Sequence, residues 1–261
     1  ACHHASRYFL LNNRGAIAPG YLADFAVIDN FKDFNVEMVF KKGVLYWNNG
    51  ELRDFDAPQI EEYLDKRAHD TFHVATLTPD DFRDTRQRGV LGMVPGEIIT
   101  TDNGYADHVD LEKDILKIAV VERHKGTHHI GLGYIQGYGL RSGAVATSIS
   151  HDSHNIIVVG TNSADMAFAA NYIVEHHGGI VVVENGVVKG SVVLEIAGIM
   201  SDCPLTEMNE KLEGAKAAAF KLGVKEGIDP FMTLSFMALP VIPTLRITTR
   251  GIIDVVTQQY T

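Results

Sequence analysis

The sequence predicts a two-part protein of mixed α/β or α+β class, and three patterns carry that expectation. An apolar run, an amphipathic segment and a second apolar run succeed one another across residues 155–184, the order of a strand–helix–strand unit with a right-handed crossover. A second long amphipathic segment, "PLTEMNEKLEGAKAAAFKLG", brings Leu205, Met208, Leu212, Ala215 and Ala219 close to one face. Short β-rich runs punctuated by Gly and Pro surround both. At 261 residues the chain has ample material for one large core or two modest ones. The pattern changes near residue 70, which divides the chain into 1–70 and 71–261, and no internal repeat is present.

The elements follow in order. "ACHHASRYFLL" reads as the latter part of a helix, with Ala5, Phe9 and Leu10 at helical spacing and no N-cap before them. A domain does not ordinarily open inside a helix, so the chain is expected to be a piece of a longer polypeptide. A Gly/Pro-rich turn and a β-run at Phe25–Ile28 come next, then two β-runs joined at Lys42-Gly43. Pro58 and the acidic residues after it suit a helix start. "FHVATLTPDDFR" reads as a β-run running into a turn at Pro79-Asp80-Asp81; "VLGMVPGEIITT" and "ILKIAVVERH" read as two further strands. "SADMAFAANYIVEHH" is an amphipathic helix with Ser163 as its expected N-cap and Gly178 as its stop. Asn185-Gly186 marks a hairpin turn, Thr206 is placed to cap the second long helix, and an apolar tail broken by three prolines closes the chain.

Composition removes several function classes. The formal charge is −10, from 23 basic against 33 acidic residues, and no basic stripe interrupts it. Nucleic-acid partners depend on clustered Lys and Arg and are not expected. No apolar stretch approaches the ~20 residues that span a bilayer, and no basic n-region leads into an apolar h-region. No membrane association and a cytoplasmic location are therefore expected. The two cysteines, Cys2 and Cys203, stand far apart without a CxxC, which fits reduced thiols. Cys203 has no sequence-adjacent base or cation, so a structural role is expected for it.

Histidine is the unusual component: twelve in all, eight of them between His108 and His177. Imidazole is the usual proton carrier and metal ligand at neutral pH. The densest stretch, "ISHDSHNIIVVG", sets His151, Asp152, His154 and Asn155 immediately before an apolar run. In a strand–loop–strand passage Asp152 would orient an imidazole by accepting a ring N–H. Substrate contact or catalysis by His151, Asp152 and His154, with Ser150 and Asn155 binding, is one reading. A metal site is another, although three groups from one short loop seldom close a shell. Turn polar groups that only satisfy the backbone are the third. The six glycines between Gly126 and Gly143 mark either a mobile or closely approaching backbone, as in a lid or ligand-facing loop with Tyr138 and Arg141 as its contacting groups, or a surface excursion. "HHGG" at 176–179 reads as a helix C-terminus. No GxSxG, HExxH or Walker motif occurs.

"RGAIAPGYLADFAVID", with "HHASRYF" before it and the hairpin "MVFKKGVLYW" after it, resembles the closing stretch of the amidohydrolase superfamily; Gly15, Ile17, Pro19, Gly20, Ala23, Asp24 and Asp29 carry the match. "HHIGLGYIQGYGLRSGAVATSISHDSHNIIVVGTNSADM" and "ALPVIPTLRITTRGIIDV" resemble the C-terminal domain of the bacterial adenine deaminase family. The resemblance implies the end of an amidohydrolase barrel with its small β-sandwich over 1–70, then an α+β C-terminal domain. It implies hydrolytic deamination of adenine to hypoxanthine and ammonia, with Mn or Fe at a barrel site supplied by an N-terminal part not contained in this chain. Metal-bound hydroxide would attack C6 while acidic side chains move protons. No metal is expected to bind within this chain, the chain alone is expected to be inactive, and a homo-oligomer is expected. The rival reading is a covering or oligomerisation module of another amidohydrolase.

Overall fold

The computed structural model describes residues 2–53 and 59–261. The chain divides into two compact units, Ala1–Ile60 and Glu61–Thr261, so the division falls ten residues before the change in sequence pattern.

The first unit holds helix α1 (Cys2–Tyr8) and one antiparallel sheet of β1 (Phe25–Ile28), β2 (Val36–Lys41), β3 (Val44–Asn48) and β4 (Glu51–Leu52), paired in chain order. Lys42 and Gly43 both take positive φ, 49° and 78°, as the twist of a two-residue hairpin requires. Asp24 fixes that turn: its carboxylate accepts the Lys42 N–H at 2.7 Å and pairs with Arg14 and Lys41. The backbone N–H of Lys42 holds its pKa below the usual carboxylate value. Gly15 is required by close approach, since a Cβ there would lie 2.6 Å from Ser6 Oγ. Two members of the glycine–proline–aspartate pattern thus have local structural reasons. Pro58, the expected helix start, lies outside the described residues; the helix that follows it, α2, runs Glu62–His69 without a side-chain cap.

The second unit is built on an eight-stranded sheet. Its members are β5 (Arg88–Met93), β6 (Thr100–Ala106), β7 (Ile115–Val121), β8 (Ile130–Gln136), β9 (Ala144–Thr147), β10 (Ile156–Gly160), β11 (Gly179–Glu184) and β12 (Val187–Val193), in the order β12-β11-β9-β10-β7-β8-β5-β6. Only β5 and β8 pair in parallel. Helix α3 (Ser163–Glu175) covers one face; α4 (Leu205–Lys221), α5 (Pro230–Met237) and a small sheet of β13 (Leu245–Thr248), β14 (Gly251–Asp254) and β15 (Gln259–Tyr260) lie on the other. The interior strands are therefore buried on both faces, and β10 and β11 read as nearly unbroken apolar runs, while the edge strands β6 and β12 carry polar and exposed residues. Along β10 the side chains alternate: Ile156 and Val158 pack on the α3 side with Met166 and Ala170, Ile157 and Val159 on the α4–α5 side with Leu234.

Several expectations need correction. Residues 72–78 form no strand, because the backbone of Leu77 is satisfied by a side chain: Asn171 accepts its N–H at 2.9 Å and donates to its carbonyl at 2.8 Å. "VLGMVPGEIITT" is split between β5 and β6. The strand–helix–strand unit is present as β10–α3–β11, yet the two strands are not neighbours; β9 lies between them, antiparallel to each. Asn162 rather than Ser163 caps α3, accepting from Asp165 N–H at 2.8 Å. Pro204, not Thr206, stands at the N-cap of α4. The glycine-rich segment is not a lid: β8 runs through it, and a Cβ at Gly131 would sit 1.9 Å from the Thr248 carbonyl oxygen. Its glycines let the β13–β14 hairpin lie against β8. Among the described residues no helix is long and apolar enough to cross a membrane.

Candidate functional site

Strand directions gather the histidines. The end of β7, the β9–β10 connection, the start of β11 and the end of β12 all lie at one end of the sheet, because Val121 pairs with Ile156, Thr147 with both Ile157 and Ile180, and Val193 with Gly179. His124, His128, His129, His151, His154, His176 and His177 follow or precede those strand ends. Most have structural work. His128 pairs with Asp81 at 2.9 Å, His176 stacks on Tyr172 with ring centroids 3.9 Å apart, and His177 meets Phe72 edge-on at 6.5 Å. His151 and His154 are different: they face each other at 5.7 Å, and His151 also lies 5.1 Å from the Phe236 ring.

The loop carrying them, residues 148–155, connects β9 to its antiparallel neighbour β10. It is tightly turned. His154 takes a φ of 49°, its N–H donates to the Ser150 carbonyl at 2.6 Å, and its Nδ1 receives the Ser150 N–H at 3.3 Å. A backbone N–H can only donate, so Nδ1 is unprotonated and the neutral ring carries its proton on Nε2. Burial, followed by the neighbouring His151 and Arg123, pulls the His154 pKa below the ordinary imidazole value. Ser150 is fully buried and its hydroxyl has no partner among the described residues. Asp152 is exposed, and no hydrogen bond or ion pair to it occurs among the described residues.

Asp152, Ser153 and Asn155 line a cleft of about 450 Å³ together with Leu239, Val241, Ile247, Thr248 and Thr249 among its other lining residues. The cleft is mostly apolar, with one free carboxylate and a few hydroxyl and amide groups, the composition of a small-molecule site. His151 and His154 are not among its lining residues; they lie beside it through the loop.

The residue that sequence reading missed is Arg123, at the end of β7. It is 2% exposed, has no carboxylate partner among the described residues, and spends its donors on carbonyls. Nε donates to the His154 carbonyl; Nη1 to the Thr71 carbonyl at 2.9 Å and its hydroxyl at 3.1 Å; Nη2 to the Ala197 carbonyl at 2.9 Å. Its own N–H donates to Asn155 Oδ1 at 3.2 Å. The guanidinium lies over the Phe72 ring, 4.3 Å from the centroid, and Gly198 leaves room beside both, where a Cβ would come 2.8 Å from the ring and 3.0 Å from the guanidinium carbon. Burial brings its pKa down to about 10, against the raising influence of Glu122, so it remains charged at neutral pH. The only sequence signal was an arginine between Glu122 and His124, just beyond the apolar end of β7.

The structure does not bring all the expected site residues together. Tyr138 and Arg141 lie in the β8–β9 connection, at the opposite end of β9 from the histidine loop. Tyr138 is fully buried, with its hydroxyl donating to the Pro230 carbonyl at 2.9 Å. Arg141 receives α4's last turn, its N–H donating to the Leu222 carbonyl at 2.7 Å, and its guanidinium binds the Leu111 carbonyl. Tyr138 is part of the core, whereas Arg141 is exposed and held by these hydrogen bonds. Among the described residues no group of three or more His, Cys, Asp or Glu side chains is arranged to hold a metal. The His151–His154 pair has no third ligand of the kind a closed shell needs.

Residues 96–259 match the family described as the adenine deaminase C-terminal domain. The chain is 40% identical to "Adenine deaminase 2" of Carboxydothermus hydrogenoformans, over 97% of this chain and 46% of that protein. It is 41% identical to an adenine deaminase of Dehalococcoides mccartyi and 39% identical to one of Bacillus licheniformis, in each case over 97% of this chain and 45% of the relative. The chain thus spans a little under half the length of these curated relatives.

Proposed function

The chain belongs to the adenine deaminase C-terminal domain family, and from that premise we propose that it is the C-terminal part of an adenine deaminase, which converts adenine to hypoxanthine and ammonia in purine salvage. The observation that carries the reading is the likeness to proteins named adenine deaminase along 97% of the chain, the histidine loop included. The described residues do not compose a shell for Mn or Fe, so in this reading those metals would be held by a further part of the enzyme. What this chain can contribute is binding, orientation and proton handling.

In this reading the cleft beside Ser153 and Asn155 meets the purine. Its apolar walls suit a flat ring, and the free carboxylate of Asp152 suits the amine or ring N–H of the base. His154, held neutral, is suited to take up and pass on a proton, with His151 beside it. Ser150 acts only through its backbone. A cytoplasmic location agrees with two free cysteines, Cys2 exposed and Cys203 half-buried.

The test is kinetic. In the full-length enzyme, Asp152→Asn and His154→Ala are each expected to lower kcat/KM by tenfold or more, about 1.4 kcal/mol of transition-state stabilisation. A change below about twofold in both, under ~0.4 kcal/mol, would take the loop out of the reaction.

A further inference from the structure

Three successive loop residues, Ser153, His154 and Asn155, are each gripped from the end of β7. His124 Nε2 meets the Ser153 carbonyl at 2.7 Å, Arg123 Nε holds the His154 carbonyl, and the Arg123 N–H holds the Asn155 side chain. Glu122 fastens the tether itself, its carboxylate accepting the N–H groups of His124, Lys125 and Thr127 and the Thr127 hydroxyl. The grip continues outward through the Thr71 and Ala197 carbonyls, and the Arg123 carbonyl accepts the His73 N–H at 2.8 Å. A guanidinium that bonds to three other chain segments, with only carbonyl and hydroxyl acceptors, fixes directions.

We infer that Arg123 is the positioning residue of the loop, setting the directions of Asp152 and His154 through the His154 carbonyl and the Asn155 side chain, with His124 as a second tether. Arg123 does not touch the cleft. Its effect on deamination therefore rests on the proposed role of the loop. Lysine would keep the charge but lose the planar fork, so it could hold one or two of these acceptors and not all of them.

The experiment uses the full-length enzyme with two readouts. Histidine-selective NMR follows the His154 titration, which in the unaltered protein lies below the usual imidazole range. Arg123→Lys is expected to move it back toward that range and to lower kcat at least tenfold, with KM changed by less than threefold. In an Asp152→Asn, His154→Ala background the same change should alter kcat by less than twofold, because the groups it positions are gone. His124→Ala removes an exposed side chain and so spares folding; it should lower kcat by two- to fivefold. An unmoved His154 titration in both single variants overturns the inference whatever the rates do, and so does an Arg123→Lys effect on kcat of equal size in both backgrounds. A moved titration with unchanged rates overturns the positioning role in the reaction, and it overturns the proposed role of the loop as well only when Asp152→Asn and His154→Ala also leave kcat/KM within about twofold. If Asp152→Asn and His154→Ala slow the reaction while Arg123→Lys and His124→Ala do not, the inference alone fails.

Discussion

An imidazole that burial keeps neutral responds to acid differently from one in water, and His154 is such a group. Its folded-state pKa is lowered, so between that value and the ordinary imidazole value the unfolded chain binds more protons than the folded one. Stability associated with neutral His154 is therefore complete above the ordinary value and declines as pH falls toward the lowered one. His154→Gln is expected to flatten the fall in melting temperature between roughly pH 7 and pH 5, where histidine titrates; an unchanged slope would show that this ring does not govern it. At this scale sequence reading located the loop through its polar density but missed what holds it. Arg123, Thr71 and Ala197 are joined only in the fold, over separations of 52 and 74 residues. No local pattern marks such a contact.

Elements were legible where their period was clean and turn chemistry marked their ends. The strand Phe25–Ile28 and the hairpins at Lys42-Gly43 and Asn185-Gly186 follow from local rules alone. Legibility failed where one element borrows partners from another. Residues 72–78 have strand-like composition, yet Asn171 of α3 satisfies Leu77, and the segment lies across the sheet face instead of joining an edge. The glycines of β8 left mobility and close approach both open, and Gly131 marks close approach. Gly131→Ala should accordingly cost about 3 kcal/mol, the upper end of overpacking penalties, because its Cβ would meet backbone rather than a flexible side chain. Chemical denaturation of the chain measures this, and a cost below about 1 kcal/mol would mean that the β13–β14 hairpin shifts freely.

At the scale of the whole molecule, the proposed function separates chemistry from support. No cluster of potential ligands is assembled among the described residues, so the purified chain is expected to hold less than a tenth of an equivalent of Mn or Fe and to leave adenine unchanged. Elemental analysis and a spectrophotometric purine assay check both, and a stoichiometric metal bound by this chain would overturn the proposed division of labour. The βαβ pattern foretold a sheet but not its order, since β9 enters between the two parallel strands and its four residues are too short to announce their partners. That insertion reaches beyond topology. The histidine loop is the bend between two interior strands, each hydrogen-bonded on both sides, and such stems leave no room for swinging. Amide exchange in Ile156–Gly160 should await global opening, and on the proposed function any doorway for the base would have to be hung elsewhere than on these strands.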